Sequence, residues 1–288
     1  MTTSESLSLS ALGLHSASAT DVGLRRAANE DALLDSAPIF VVADGMGGHD
    51  AGEVASALAV EAFRALSGAP SASPAEVREA FDRAAADIAA ILPGGKRRAG
   101  TTVTGVAISE IEGEAYWLVF NLGDSRTYRL AAGALEQISV DHSVVQELVD
   151  EGEIDRAAAA VHPGRNIITR ALGAGGVYRP DYWLVPVEPG DRILLCSDGV
   201  SGELDDDAIL AALTEEADPQ AAADRLVHEG ILRGGRDNLT AIVIDAFDAT
   251  LDAPPQPGHA GPPVDTHNRR EPDEDTVPRS PLSAGKAP

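Results

Sequence analysis

Apolar residues are set out along this chain in two periods. Short unbroken runs rich in β-branched and aromatic residues occur at Pro38-Ile39-Phe40-Val41-Val42-Ala43, Tyr116-Trp117-Leu118-Val119-Phe120, Ile193-Leu194-Leu195-Cys196 and Leu239 to Ile244. Runs of that length predict buried strands. Leu7-Ser8-Leu9-Ser10-Ala11-Leu12 alternates instead, which predicts a half-buried strand. The second period is helical. Ser73-Pro74-Ala75-Glu76 has the form of a capping box with Pro at the first helical position, and it opens a stripe at Val77, Phe81, Ala84, Ile88 and Ile91. Val54, Leu58, Ala62 and Leu66 predict a helix before it. Asp218-Pro219 starts another through Leu226 and Val227, and Ser143 caps a shorter one that Gly152 ends.

The helices thus come in adjacent pairs between groups of strands rather than in strict alternation with them. That order argues against a doubly wound parallel sheet and for an α+β fold of antiparallel sheets covered by helices. From about Asp248 the character changes: the segment to Pro288 holds nine of the eighteen prolines and no aromatic residue. It cannot bury enough apolar surface to offset its ordering entropy, so it is expected to be a disordered tail. The folded domain is expected over residues 6–247, after a disordered start at 1–5.

Charge narrows the chemistry. Acidic residues outnumber basic ones 46 to 22, a net charge of −24. Nucleic-acid affinity comes largely from Lys and Arg displacing counterions, so a polyanion partner is excluded, and an anionic membrane surface is disfavoured. The first basic residue is Arg25 and no apolar stretch approaches the roughly 18 residues that span a bilayer. With the single cysteine Cys196 and hence no internal disulfide, these features lead to the expectation of a soluble cytoplasmic protein. Cys196 lacks the downstream Arg of a phosphate-binding loop, since Ser197-Asp198-Gly199-Val200-Ser201-Gly202 follows it. There is no GxxxxGK[ST] motif, and Gly45-Met46-Gly47-Gly48 is not a dinucleotide fingerprint.

Carboxylates recur at the margins of the apolar runs. Asp44-Gly45 follows Ile39 to Ala43, Asp198-Gly199 follows Ile193 to Ser197, Gly123-Asp124 follows Trp117 to Leu122, and Asp237-Asn238 precedes Leu239; Asn29-Glu30-Asp31 precedes a further short apolar run. Each alone reads as an ordinary solvated turn. If the strand ends converge, several like charges share a small volume, and they stay ionised only with cations among them. Oxygen donors without CxxC or HExxH select hard ions such as Mg²⁺ or Mn²⁺. Gly45 lets the backbone turn near such a site and offers a carbonyl ligand. Glu30 and Asp31 point to opposite faces of an extended segment, so one or both would act through water on the metal. A phosphate needs a cationic holder in so acidic a chain. Arg26 is best placed for it, because a guanidinium grips two phosphate oxygens; the alternative is a surface Arg paired with a nearby acid.

The motifs Arg26-Ala27-Ala28-Asn29-Glu30-Asp31, Val42-Ala43-Asp44-Gly45-Met46-Gly47-Gly48-His49, Gly100-Thr101-Thr102 and Asn121-Leu122-Gly123-Asp124-Ser125-Arg126 occur in that order. Asp141-His142-Ser143, Ile168-Thr169-Arg170-Ala171-Leu172-Gly173, Leu195-Cys196-Ser197-Asp198-Gly199 and Gly235-Arg236-Asp237-Asn238-Leu239-Thr240 complete the set. Together they resemble the metal-dependent Ser/Thr phosphatases of the protein phosphatase 2C family in their compact bacterial form.

The resemblance implies a four-layer α-β-β-α sandwich, two antiparallel sheets flanked by helices, with metals in a cleft at one end. It implies two Mn²⁺ or Mg²⁺ ions bridged by Asp44, the first completed by Asp198 and Asp237, the second held with the Gly45 carbonyl. Glu30 and Asp31 would act through metal waters, Arg26 would bind the substrate phosphate, and Asp124 with Asp198 matches a third metal site. Residues 143–166 fall where the family has a mobile flap beside the cleft. Cations roughly 3.5–4 Å apart would activate a bridging hydroxide for direct in-line attack on phosphoserine or phosphothreonine. The proton for the leaving alkoxide would come from His49 or from metal-bound water, while His142 is expected to hold the loop before its helix. Implied partners are phosphorylated proteins and an opposing bacterial Ser/Thr kinase, with the enzyme a monomer. A non-catalytic scaffold of the same fold, or a phosphatase of small esters or of a phosphorylated antagonist protein, are the competing readings.

Overall fold

The computed structural model describes residues 7–47, 51–91, 99–174 and 178–251. His49, residues 1–6 and the expected tail beyond Leu251 lie outside the described residues. The chain runs through β1 (Leu12–Asp21), β2 (Asp31–Ser36), β3 (Ile39–Gly47), α1 (Ala51–Arg64) and α2 (Pro74–Ile91). There follow β4 (Ala99–Thr101), β5 (Val103–Ile111), β6 (Glu114–Leu122), β7 (Arg126–Ala131), β8 (Ala134–Gln137), α3 (Val144–Asp150) and α4 (Arg156–Val161). The last elements are β9 (Asp181–Pro186), β10 (Arg192–Cys196), α5 (Asp198–Ser201), α6 (Asp206–Glu215), α7 (Pro219–Arg233) and β11 (Leu239–Asp248).

The strands form two antiparallel sheets, one ordered β1-β11-β10-β7-β8 and the other β2-β3-β5-β6-β9, with β4 on the far end of β3. Within them β3, β6, β10 and β11 carry runs of consecutive apolar residues because both faces are buried there. In β3, Phe40 and Val42 face the opposing sheet, while Ile39, Val41 and Ala43 pack under α1 and α2 against Phe63, Phe81 and Ile88. In β11, Ile242 and Ile244 face the other sheet, and Leu239, Ala241 and Val243 pack under α6 and α7. Each such fully buried Phe or Ile contributes about 1.5–3 kcal/mol. The result is the expected α-β-β-α sandwich.

The helix signals hold at their ends. Ser73 N–H and Oγ donate to Glu76 Oε2 at 2.8 and 2.7 Å, and Glu76 N–H donates back to Ser73 Oγ at 3.3 Å. Val77, Phe81, Ala84 and Ile88 are buried beneath that box; the Ile91 side chain lies outside the described residues. Asp218 caps α7 and Ser143 caps α3 through their side chains, and Gly152 takes φ +74° in the turn beyond α3.

Two expectations need correction. The strand expected over Leu7–Leu12 is not one: Leu7 pairs with Val187 and Ala115, residues 9–11 turn, and β1 begins at Leu12. The helix expected on Val54, Leu58, Ala62 and Leu66 exists as α1, but it is rotated. Its buried face is Ala51, Gly52, Ala55, Ser56, Ala59, Val60, Ala62 and Phe63, Val54 is exposed, and Leu66 lies past the end. Small residues win that face because α1 sits close to β3; a Cβ on Gly45 would run into the Gly52 carbonyl oxygen and meet the Glu30 carbonyl oxygen at 2.5 Å.

Candidate metal centre

In an antiparallel pair the start of one strand lies beside the end of its neighbour. That rule gathers the acidic motifs. Asp31 opens β2 directly opposite Asp44 near the end of β3. Asp237 precedes β11, whose Ala241 pairs with Cys196, the residue that ends β10 just before Asp198. Asp124 follows β6. Asp44 is less terminal than the sequence implied, because β3 continues to Gly47 along β4.

The five aspartates are each half-buried. Asp44 stands at the centre: removal from water, and then the charges of Asp31, Asp198, Asp124 and Asp237, raise its carboxyl well above the ordinary range. Asp31 is pushed up to about 7 by desolvation, against hydrogen bonds from Thr240 and Ser197 that favour its anion. Desolvation, then Asp198 and Asp141, push Asp124 up to about 8. Asp198 is raised by desolvation and by the charge of Asp237, against the opposing charges of Arg26 and Arg126.

Glu30 and Asp31 diverge as expected. Asp31 accepts from Thr240 Oγ1 at 2.7 Å, whereas Glu30 turns toward Gly52 and Arg26. Arg26 Nη2 donates to Asp237 Oδ2 at 2.6 Å and Nη1 lies 3.9 Å from Glu30 Oε2. The guanidinium is 48% exposed, so it joins the cluster while keeping N–H groups open to solvent.

Backbone supports that sequence reasoning missed hold these groups. Thr102 Oγ1 accepts from Asp44 N–H at 3.0 Å and bonds Ser125 Oγ at 2.8 Å, while Thr101 Oγ1 donates to the Asp44 carbonyl at 2.9 Å. Asn238 Nδ2 donates to the carbonyls of Val22 and Ala28, both at 3.0 Å, and Oδ1 accepts from Glu30 N–H at 2.8 Å, fastening the Arg26 loop to β11. The only sequence signal for them was their place in the ordered motifs. Gly199 is required by close packing, since a Cβ there would fall on the Asn238 carbonyl oxygen.

The donors fit hard divalent cations. Oδ1 of Asp31 and Oδ1 of Asp198 are buried without a hydrogen-bond partner, and an unpaired buried carboxylate oxygen is costly unless a cation meets it. As the side chains stand, no three His, Cys, Asp or Glu among the described residues close around one point. Arg26, through Asp237 and Glu30, offsets part of the charge. A cleft of about 910 Å³ opens from Asp124 and Asp198, with Val145, Gln146, Arg156 and Arg165 of the 143–166 segment along one wall. No helix among the described residues is long and apolar enough to cross a membrane.

Comparison with known proteins agrees with this geometry. A family model described as protein phosphatase 2C matches residues 25–229. The chain is 39% identical over 243 residues to the serine/threonine protein phosphatase PstP of Mycobacterium tuberculosis, covering 82% of this chain and 46% of that protein. It therefore spans about half the length of that relative. It is 34% identical to the serine/threonine phosphatase stp of Listeria monocytogenes, covering 81% of this chain and 96% of the relative. The solved catalytic domain of PstP in complex with two manganese ions superposes with a TM-score of 0.72 at 38% identity, covering 82% of this chain and all of that one. With the sandwich, the gathered aspartates and a family match over most of its length, the chain belongs to the protein phosphatase 2C family.

Proposed function

We propose that the chain hydrolyses phosphoserine and phosphothreonine in proteins by direct attack of water, with divalent cations held around Asp44. The observation that carries this is the convergence of Asp31, Asp44, Asp124, Asp198 and Asp237, with two buried carboxylate oxygens left unpartnered. The names of the relatives support the substrate class, and the manganese ions of the solved PstP domain support the ion class.

When bound, Mn²⁺ or Mg²⁺ would supply Lewis acidity that lowers the pKa of water and screens phosphate charge. Asp44, flanked by all four other aspartates, would be the shared holder of the ions, with Asp198, Asp237 and the Gly45 carbonyl as further donors. Asp124 with Asp198 would offer a further position, and Glu30 and Asp31 would act through water. Arg26, anchored on Asp237, turns its solvent-facing N–H groups to the phosphate oxygens, which fixes the phosphorus for in-line attack. The 143–166 segment walls the cleft and meets the polypeptide on either side of the phosphorylated residue. The enzyme is proposed to act as a monomer in the cytoplasm, opposing a Ser/Thr kinase.

The test is phosphate release from a phosphothreonine peptide. Wild-type protein should be active with Mn²⁺ and inactive in excess chelator. Arg26→Ala should chiefly raise KM, by about tenfold to a hundredfold for the loss of a charge-assisted pair. Full activity in chelator would overturn the cation-based chemistry, and an unchanged KM would remove Arg26 from phosphate binding.

A further inference from the structure

His142 is 4% exposed, stands outside the carboxylate cluster and yet grips the loop that carries Asp124. Its backbone N–H donates to the Gly123 carbonyl at 2.8 Å, and its ring Nδ1 lies 3.1 Å from Gly123 N. A backbone N–H can only donate, so Nδ1 is the acceptor and the ring proton sits on Nε2. Nε2 in turn donates to Asp181 Oδ2 at 3.0 Å. Arg170 Nη1, 3.2 Å from Nε2, is also a donor; its acceptors are Asp181 Oδ1 at 3.3 Å and the Arg179 carbonyl at 3.4 Å. Burial, the largest influence on the ring, lowers its pKa and keeps it neutral.

The loop has little room to answer any change. Gly123 has φ +119°, and a Cβ on it would meet Thr102 Cγ2 at 2.5 Å, so it is confined between Thr102 and the imidazole. Asn121 Nδ2 donates to the same Gly123 carbonyl at 3.0 Å. Asp124, next in the chain, lines the same cleft as Asp198.

We propose that His142 is a positioning residue for the cation site: held in one tautomer by Asp181, its Nδ1 fixes Gly123 N–H and thereby sets the Asp124 carboxylate against Asp198. The role is that of an outer partner that orients a ligand it never touches, and such partners typically affect metal affinity by about 10–100-fold. It rests on the proposed cation binding, and the test separates the two.

The experiment is Mn²⁺ titration calorimetry on the full chain, with wild type, His142→Gln and His142→Asn. Asn places its amide near the position of Nδ1 and can still accept from Gly123. Gln reaches toward Asp181 and leaves Gly123 N–H without its partner. The expected result is that one Mn²⁺ site, that of Asp124 with Asp198, is about tenfold weaker in H142Q and near wild type in H142N, with the other sites unchanged in both. Wild-type affinity at every site in H142Q, or equal weakening of every site in both variants, would overturn the positioning role. If H142Q fails to fold, Asp181→Ala at a half-exposed position is used instead. It frees the tautomer and should weaken the same site alone; an unchanged site there would equally overturn the proposal. Absence of Mn²⁺ binding by wild type would instead defeat the functional reading beneath it.

Discussion

A carboxylate taken out of water beside four others keeps its proton until another positive charge replaces it. Asp31 at about 7 and Asp124 at about 8, against an ordinary value of 3.8, show how far the site depends on such a charge. The sign of the linkage follows. With folded values above unfolded ones, the chelated protein gains stability from these groups at low pH and loses it as pH rises from about 4 to 8. Cations compete with those protons, so Mn²⁺ should stabilise increasingly over the same window. Denaturant unfolding at pH 5, 6, 7 and 8, in chelator and in Mn²⁺, should show the two curves diverging with pH; parallel curves would contradict the shifts. Asp44, Asp198, Asp237 and Arg26 were legible because motif order singles them out. Thr102, Thr240 and Asn238 lie in the same motifs, but their supporting role could not be read there, because each acts through a hydrogen bond to a segment distant in sequence.

At the level of elements, legibility followed burial. Strands β3, β6, β10 and β11 announce themselves because both faces are covered along a central run of consecutive apolar residues. β1, with its Leu-Gly-Leu-His-Ser-Ala-Ser-Ala-Thr-Asp composition, lies at a sheet edge, and its small polar residues carry no run to read. α1 was found but misphased, since the contact with β3 selects Gly and Ala over Val54 and Leu58. Capping signals fared better because they are local. Ser73→Ala should remove about 1 kcal/mol of stability through the lost box, with kcat/KM unaltered, since α2 begins far from the carboxylates in the chain. Urea unfolding together with peptide assay checks this. Gly199→Ala should behave in the opposite way at the site, displacing the Asn238 carbonyl and costing about 1–3 kcal/mol together with activity.

Across the whole molecule, the sandwich exists to bring strand ends from both sheets to one place. β2 and β3 of one sheet supply Asp31 and Asp44; β10 and β11 of the other are flanked by Asp198 and Asp237. The antiparallel arrangement could be argued from helix pairing in the sequence. The pairing of β1 with β11 over its entire length could not, because their partners lie over two hundred residues apart. That last strand ends at Asp248 and a turn closes at Leu251, so a chain ended after Leu251 is expected to retain the fold and the phosphatase activity of the full chain. Circular dichroism melting and peptide assay of the shortened chain would check it.

The account turns on Asp44. Asp44→Asn keeps the shape of the side chain and removes the charge that all the other aspartates surround. Phosphate release from a phosphothreonine peptide, followed over a Mn²⁺ titration for wild type and Asp44→Asn, tests this most directly. The account predicts Mn²⁺-dependent turnover by wild type and a loss of about a thousandfold in the variant at every Mn²⁺ concentration. Turnover by Asp44→Asn at the wild-type rate would contradict it.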